Sequence, residues 1–411
     1  MSSARLVLSN ARLADGTTDF GSHRHTVVVE DGVITSVDPD GATPLAGALD
    51  LAGATVVPGL IDAHMHVLSS EIVRNPGFGP PPGLKGGEPR ARELGYFVLA
   101  AMAKAVLEAG ITTVRDVGCD DYEAIALRQA VNLGIVPGPQ VLSCGRIVSA
   151  TSPGGVLFEA MYRQADGPDE LRKAVREQLR AGADFIKFMA TGARSVELEN
   201  PEPAQLTREE MHAIIDEAHR MGFRVAAHAE GLAGARLAIE EGVDTIEHGL
   251  SLHREPALLD LMAARGSVLV PTLSTFHDLA ERFTEKFAPA LVEQAKRQLE
   301  EAYTTLLAAR KAGVTIALGH DSGPPGDAAI ELVRMVDGGL STAEALAAGT
   351  AGSAAALGLT DRGTLRVGQR ADLLAVDGDP LADIKVLNNR AAVRLVVKHG
   401  DLVLDRRQRQ N

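Results

Sequence analysis

An α/β chain, built as a (β/α)8 TIM barrel with a small discontinuous β-sandwich domain contributed by both termini, is predicted by three features of the sequence. Apolar β-like runs alternate with amphipathic helical stretches through the middle, helix after helix ends in glycine, and both chain ends read as short strands punctuated by turns. At roughly 150 residues per domain, 411 residues suffice for a barrel with an appended unit. The 45% hydrophobic and 23% charged shares are ordinary globular composition, able to bury a large core. A doubly wound open sheet is the competing arrangement, and strand number alone does not exclude it.

The first strands fall in ARLVLSNARLA, HTVVVEDGVITSV and ALDLAGATVVPG, with apolar alternation around Asp31-Gly32 marking a hairpin. GTLRVGQRADLLAVDG and RAAVRLVVKHGDLVL repeat that texture near the other end. Residues 1–57 and 360–411 are therefore expected to form the β-sandwich domain and 58–359 the barrel. Barrel strands are expected within ATVVPGLIDAH, ITTVRDVG, PQVLSCG, DFIKFMA, FRVAAHA, DTIEHG, SVLVPTL and VTIALGHD. Stretches such as DELRKAVREQLRAG and TREEMHAIIDEAHRMG are the intervening helices, and Gly110, Gly182, Gly222, Gly242, Gly266 and Gly313 stand where left-handed C-caps favour glycine. Two segments interrupt this rhythm. The Pro/Gly-rich stretch 67–95 reads as a long loop at the catalytic face, and the charged stretch from Thr275 to Arg310 as a solvated helical pair.

Charge and cysteine content narrow the function classes. The balance of 41 − 54 = −13 argues against a nucleic-acid or anionic-membrane binder, which needs a basic face. Two cysteines, Cys119 and Cys144, make no disulfide framework, so a reducing cytoplasm is the expected location. The start MSSARLVLSN lacks a signal-peptide pattern, and no apolar run reaches membrane length. A homo-oligomer acting on a small molecule is expected.

Candidate chemistry sits at the strand ends. His64 and His66 in DAHMH share one face of a strand, and two imidazoles so placed can chelate a metal, although an isolated HxH pair is equally met with on a surface. Lys187 stands among Ile186, Phe188 and Met189, where an unpartnered ammonium is costly and an outward-facing lysine is the plainer alternative. His228, His248 and Asp321 end three further strands, and each alone fits a hydrogen-bonded core histidine or a turn cap. Taken together, five of eight inferred strands end in a metal-capable or basic group at the edge where barrel enzymes build active sites.

On these residues the chain resembles the amidohydrolase superfamily of metal-dependent barrel hydrolases. VVPGLIDAHMH is similar to that family's entry into the barrel and GTLRVGQRADLLAVDGDP to its return into the β-sandwich. KFMATG, RVAAHAEG, DTIEHG and ALGHDSG are most similar to the branch of Xaa-Pro dipeptidases and imidazolonepropionase-like hydrolases. The resemblance implies two divalent ions, with His64, His66 and Asp321 on one, His228 and His248 on the other, and Lys187, carboxylated on its amine, on both. Zn²⁺ is the expected metal, with Mn²⁺, Co²⁺ or Fe²⁺ able to occupy such a site. The implied reaction is hydrolysis of an amide or related C–N bond through a metal-bridging hydroxide, with Asp321 as general base and then proton donor to the leaving amine.

The pattern departs from that branch at two places. Dipeptidase-like members carry a His in the glycine-rich loop after the third strand and a Tyr two residues after the fifth-strand His. Here the loop from Gly145 to Gly155 has no His, and Glu230 stands in place of the Tyr. Glu230 facing the pocket would repel a substrate carboxylate; the other reading places it behind a ligand histidine. Arg146, Ser149, Thr151, Arg194, His253 and His277 also follow inferred strands and are candidate pocket residues, with solvated loops as the plainer reading. An amide hydrolase is thus expected, with an Xaa-Pro-type dipeptidase or carboxypeptidase as the alternative. A mononuclear deaminase or cyclic-imide hydrolase is disfavoured by Lys187, and a non-catalytic scaffold by the six intact candidate ligands.

Overall fold

The computed structural model describes residues 5–41, 46–67, 94–193, 198–282, 284–286, 289–321 and 326–407. The stretch expected as a catalytic-face loop, 67–95, lies outside the described residues except at its ends.

The chain begins with β1 (Arg5–Leu13), β2 (His25–Glu30), β3 (Val33–Pro39), β4 (Leu49–Asp50) and β5 (Thr55–Pro58). Asp31 (φ 49) and Gly32 (φ 80) both take the left-handed backbone that a tight hairpin between β2 and β3 requires. A bulge at Asn10 (φ 55) turns β1, so that Arg5–Leu8 pair with β2 whereas Arg12 and Leu13 pair with β5. From the far end of the chain, β16 (Leu373–Val376), β17 (Val393–Lys398) and β18 (Asp401–Asp405) extend the same sheet, with β16 antiparallel to β5. Leu8, Val27, Val29, Ile34, Val56, Leu373, Leu395 and Val397 fill one core that draws on both ends of the chain.

The barrel strands are β6 (Leu60–Met65), β7 (Ile111–Asp116), β8 (Gln140–Ser143), β11 (Ile186–Met189), β12 (Val225–Ala229), β13 (Thr245–His248), β14 (Val268–Val270) and β15 (Thr315–Ile316). All their pairings are parallel. Two joints are made by bonds beyond the strands. Asp184 N–H donates to the Ser143 carbonyl (2.8 Å), and Ala63 N–H donates to the Leu318 carbonyl (2.8 Å), which closes the eighth strand on the first. An added pair, β9 (Ile147–Ser149) and β10 (Tyr162–Gln164), occupies what the sequence suggested was loop.

Helices cover the outside. That of Arg208–Arg220 starts with a capping box between Thr207 and Glu210, and its Met211, Ile214, Ile215 and Ala218 fall on one buried stripe. Each such large aliphatic side chain contributes about 1.5–3 kcal/mol on burial. The segment expected as a solvated pair is different. Leu273–His277 is a fully buried helical turn, and the 24-residue helix Pro289–Ala312 buries Val292, Ala295, Gln298, Ala302, Thr305, Leu306 and Ala309. Those residues recur every three or four positions among charges, so the apolar stripe is masked by the composition around it. No described helix is long and apolar enough to cross a membrane.

Candidate metal centre

The first and eighth strands bring three ligand-type side chains together. His64 is buried in β6, with Nδ1 2.6 Å from Glu247 Oε2, and His66 has Nδ1 2.7 Å from the Gly118 carbonyl. Donation through each Nδ1 turns Nε2 toward Asp321, whose Oδ1 lies 3.3 Å from His64 Nε2 and 3.4 Å from His66 Nε2. Asp321 N–H donates to the His64 carbonyl at 2.8 Å, and the residue holds a left-handed φ of 62°. One ligand atom from each of the three lies within 4.8 Å of the others. Burial pushes the Asp321 carboxyl up, but the charge of His64 and hydrogen bonds from His64 and His66 hold it well below the usual carboxylate range.

The fifth and sixth strands complete the cluster. His228 in β12 has Nε2 3.1 Å from the Gly192 carbonyl and 3.6 Å from Glu230 Oε1, so Nδ1 is its ligand-type atom. His248 ends β13 with Nδ1 2.7 Å from Thr272 Oγ1. The four rings form a chain, with centroids 5.7 Å apart for His64–His66, 5.1 Å for His64–His248 and 4.6 Å for His228–His248. Imidazoles gathered so closely and turned by acceptors on their far nitrogens are arranged as metal ligands commonly are.

Beneath them lies Lys187 in β11, fully buried. Burial pushes its ammonium down, with Glu247 opposing. Glu247 accepts from Arg115 Nη2 at 2.7 Å as well as meeting His64; burial raises its carboxyl, but Arg115 and His64 hold it far below the usual range. Arg115 also donates to the Ala63 carbonyl and to Thr245 Oγ1 (3.1 Å), and its guanidinium lies 5.2 Å from the Phe185 ring centroid. Sequence reasoning missed both residues. Arg115 offered the same signal as Lys187, a cation inside an apolar strand. Glu247 did not, because strict alternation aims it away from His248; Thr245 and Glu247 share one face of β13, where Arg115 bonds both, and it is His248, with its left-handed φ of 70°, that departs from the alternation. Asp62, also missed, accepts from the backbone N–H of His64 (3.1 Å) and His320 (3.2 Å), and burial pushes its carboxyl up to about 7.

The candidate pocket residues fare unevenly. Glu230 is buried, with Oε1 3.6 Å from His228 Nε2, and accepts from Gln298 Nε2 at 3.2 Å. Arg146 donates to the carbonyls of Glu159 (2.5 Å) and Tyr162, so its guanidinium ties down the return toward β10. Ser149 is buried at the end of β9, donating to the Ala150 carbonyl at 2.7 Å. His277 sits between Glu281 (3.0 Å) and Tyr303 (2.7 Å), and His253 meets Thr305 at 2.8 Å. Thr151 bonds Asp166 at the surface, and Arg194 lies outside the described residues. None of Arg146, Thr151, His253 or His277 has a hydrogen bond to the histidine cluster among the contacts described.

A model of the amidohydrolase family matches residues 55–403. The chain is similar to the ochratoxinase of Aspergillus niger, 33% identical over 384 residues that cover 84% of this chain and 75% of that protein. It is 28% identical to imidazolonepropionase of Salinispora tropica, with 94% of each chain covered. A solved Xaa-Pro dipeptidase with bound methionine in its active site superposes with a TM-score of 0.84 at 31% identity, covering 97% of this chain and 99% of that one.

Proposed function

The chain belongs to the amidohydrolase family and hydrolyses a carbon–nitrogen bond, and from that premise we propose that it acts on a small molecule with two divalent ions at the barrel mouth. The family generally uses divalent metals, and the observation that carries the binuclear reading is the gathering of four imidazoles over a buried lysine and a carboxylate. His64, His66 and Asp321 would hold one ion, His228 through Nδ1 and His248 through Nε2 the other, and Lys187 both. Imidazole and carboxylate donors suit Zn²⁺, with Mn²⁺, Co²⁺ or Fe²⁺ also accommodated. Burial lowers the Lys187 ammonium, which exposes an amine lone pair to the carbon of CO₂; the addition releases one proton and leaves a carboxylate on Nζ. In the same proposal residues 1–57 with 360–411 form the accessory domain and 58–359 the catalytic one.

When bound, two such ions lower the pKa of water and polarise a carbonyl. The residues themselves supply the proton traffic. Asp321 accepts a proton and later delivers it to the departing amine. Glu247 and the Gly118 carbonyl keep His64 and His66 in the tautomer that presents Nε2. A second reading, an Xaa-Pro-type dipeptidase or carboxypeptidase, is favoured by the placement of Glu230: a carboxylate engaged with His228 and Gln298 does not repel a substrate carboxylate as one facing the pocket would. Elemental analysis of Zn²⁺-loaded protein should approach two ions per chain. Turnover screened across N-acyl amino acids, dipeptides, aryl amides and carbamates then separates the readings; one ion with unmodified Lys187 overturns the binuclear assignment.

A further inference from the structure

The geometry points to Glu331 as the residue that positions His248, acting through Thr272 and the buried helical turn that follows it. The inference rests on the assignment of His248 as a metal ligand. Glu331 lies in the first turn of the helix Ile330–Asp337, beyond the eighth strand, and is completely buried. Its Oε1 accepts from Leu273 N–H (2.7 Å), and its Oε2 from Ser274 N–H (2.7 Å) and Ser274 Oγ–H (2.6 Å). One carboxyl group, which burial pushes up to about 8 against these hydrogen bonds, thus takes up two N–H groups at the start of the turn Leu273–His277, groups that would otherwise lack intrahelical partners.

That turn and the residue before it supply two of the contacts to His248. Thr272, the residue before it, sits at φ 48° and ψ 46° and presents Oγ1 to His248 Nδ1 at 2.7 Å. Phe276 on the same turn meets the His248 ring edge-on, with centroids 6.4 Å apart. A β-branched residue in the left-handed region is strained, and His248 itself has φ 70°. Strained backbone of this kind is costly and persists only where the surroundings over-determine it. Here the surroundings include the Glu331 grip on residues 273 and 274. Glu331 touches neither substrate nor ligand; it holds the segment that holds the ligand.

The test compares Glu331→Gln, Ser274→Ala, Thr272→Val, Thr272→Ser and the double variant Glu331→Gln/Thr272→Val. Two measurements are made: ring ¹⁵N shifts of histidine-labelled metal-free protein, and ions retained per chain against rising chelator. The amide of Glu331→Gln sets a donor against a donor. His248 signals should therefore move in this variant and in Thr272→Val while those of His66 stay, and half the bound metal should leave at about tenfold lower chelator, in line with outer-shell partners generally. The double variant should lose no more than the worse single one, and Thr272→Ser should retain metal as the wild type does. Unmoved His248 signals with wild-type retention, or losses that multiply in the double variant, overturn the inference. Should Glu331→Gln fail to fold, Ser274→Ala decides: a smaller shift in the same direction supports the role, and none refutes it. A wild type that binds only one ion while the His248 signals still respond removes the binuclear assignment and leaves the positioning role standing.

Discussion

His64 takes its orientation from a buried charged pair, whereas the shorter contacts of His228 and His248 are to neutral oxygens on segments just beyond the strand ends, with the Glu230 carboxylate farther off at 3.6 Å from His228. Glu247 and Arg115 lie inside the barrel, on β13 and β7, and lock His64 from below. Gly192, which meets His228, and Thr272, which meets His248, belong to the connections after β11 and β14. Changes in the first half should therefore cost stability and metal binding together. Changes in the second should cost metal binding with little loss of fold, because no buried charge is left without its counterpart.

The largest effect tests what the two halves share. Asp321→Asn keeps the shape and the backbone bond to His64 but cannot take up a proton, so turnover should fall about 10³-fold, within the range for general-base loss, while the thermal midpoint stays near that of the wild type. Wild-type-like turnover would remove Asp321 as the base and with it the premise that the cluster is one centre. Next comes Glu247→Gln, which leaves Arg115 buried without its anionic partner. Stability should drop by about 3–5 kcal/mol in denaturant unfolding, and the ion assigned to His64 and His66 should be lost at 10- to 100-fold lower chelator. A variant that loses metal but no stability would erase the contrast between the halves.

These two variants also mark where sequence reasoning succeeds and where it stops. The barrel strands were legible because strands buried on both faces read as short continuous apolar runs, and a His, Lys or Asp at the end of such a run is conspicuous. Glu247 was not legible: its partner His64 is 183 residues away, and strict alternation sets it opposite His248, whose left-handed backbone departs from that alternation. Thr272 and Glu331 were hidden for the same reason, since a hydroxyl and a helix-borne acid acquire meaning only when a turn brings them to a ring. Arg146 shows the opposite case. Its place after the third strand made it a candidate pocket residue with a solvated loop as the plainer reading, and neither included the β9–β10 pair, near which its guanidinium finds the carbonyls of Glu159 and Tyr162.

A smaller effect is expected from Glu230→Gln, and it sharpens the comparison within the second half. Glu230 Oε1 faces His228 Nε2 at 3.6 Å and Oε2 accepts from Gln298. Removing the charge should lower retention of the His228 ion about tenfold and reduce kcat/KM alike for anionic and neutral substrates. A rise in the anionic-over-neutral ratio would show instead that the carboxylate reaches the substrate, and the second half would then contribute specificity as well as a ligand.

The smallest effect belongs to the outer helices and serves as the control on both halves. Glu217, on the helix Arg208–Arg220, bonds Arg176 at 2.7 Å and Arg220 at 2.6 Å, with Arg172 at 3.4 Å. The hydrogen bond from Arg176 foremost, against the opposing effect of burial and with help from Arg220, lowers its carboxyl to about 2. A depressed carboxyl stabilises the fold above its unfolded value, 4.5 here, and that contribution disappears as the pH falls from 4.5 toward 2. Because the guanidinium groups are partly solvated, the net contribution at neutral pH should be about 1 kcal/mol. Wild type should therefore exceed Glu217→Gln in denaturant midpoint at pH 6 and converge with it near pH 2, with turnover and metal content at neutral pH the same in both. A gap that persists undiminished at low pH would mean that Glu217 acts by packing rather than by charge. A change in metal content would mean that the outer layer reaches the histidine cluster, contrary to the separation argued for the two halves.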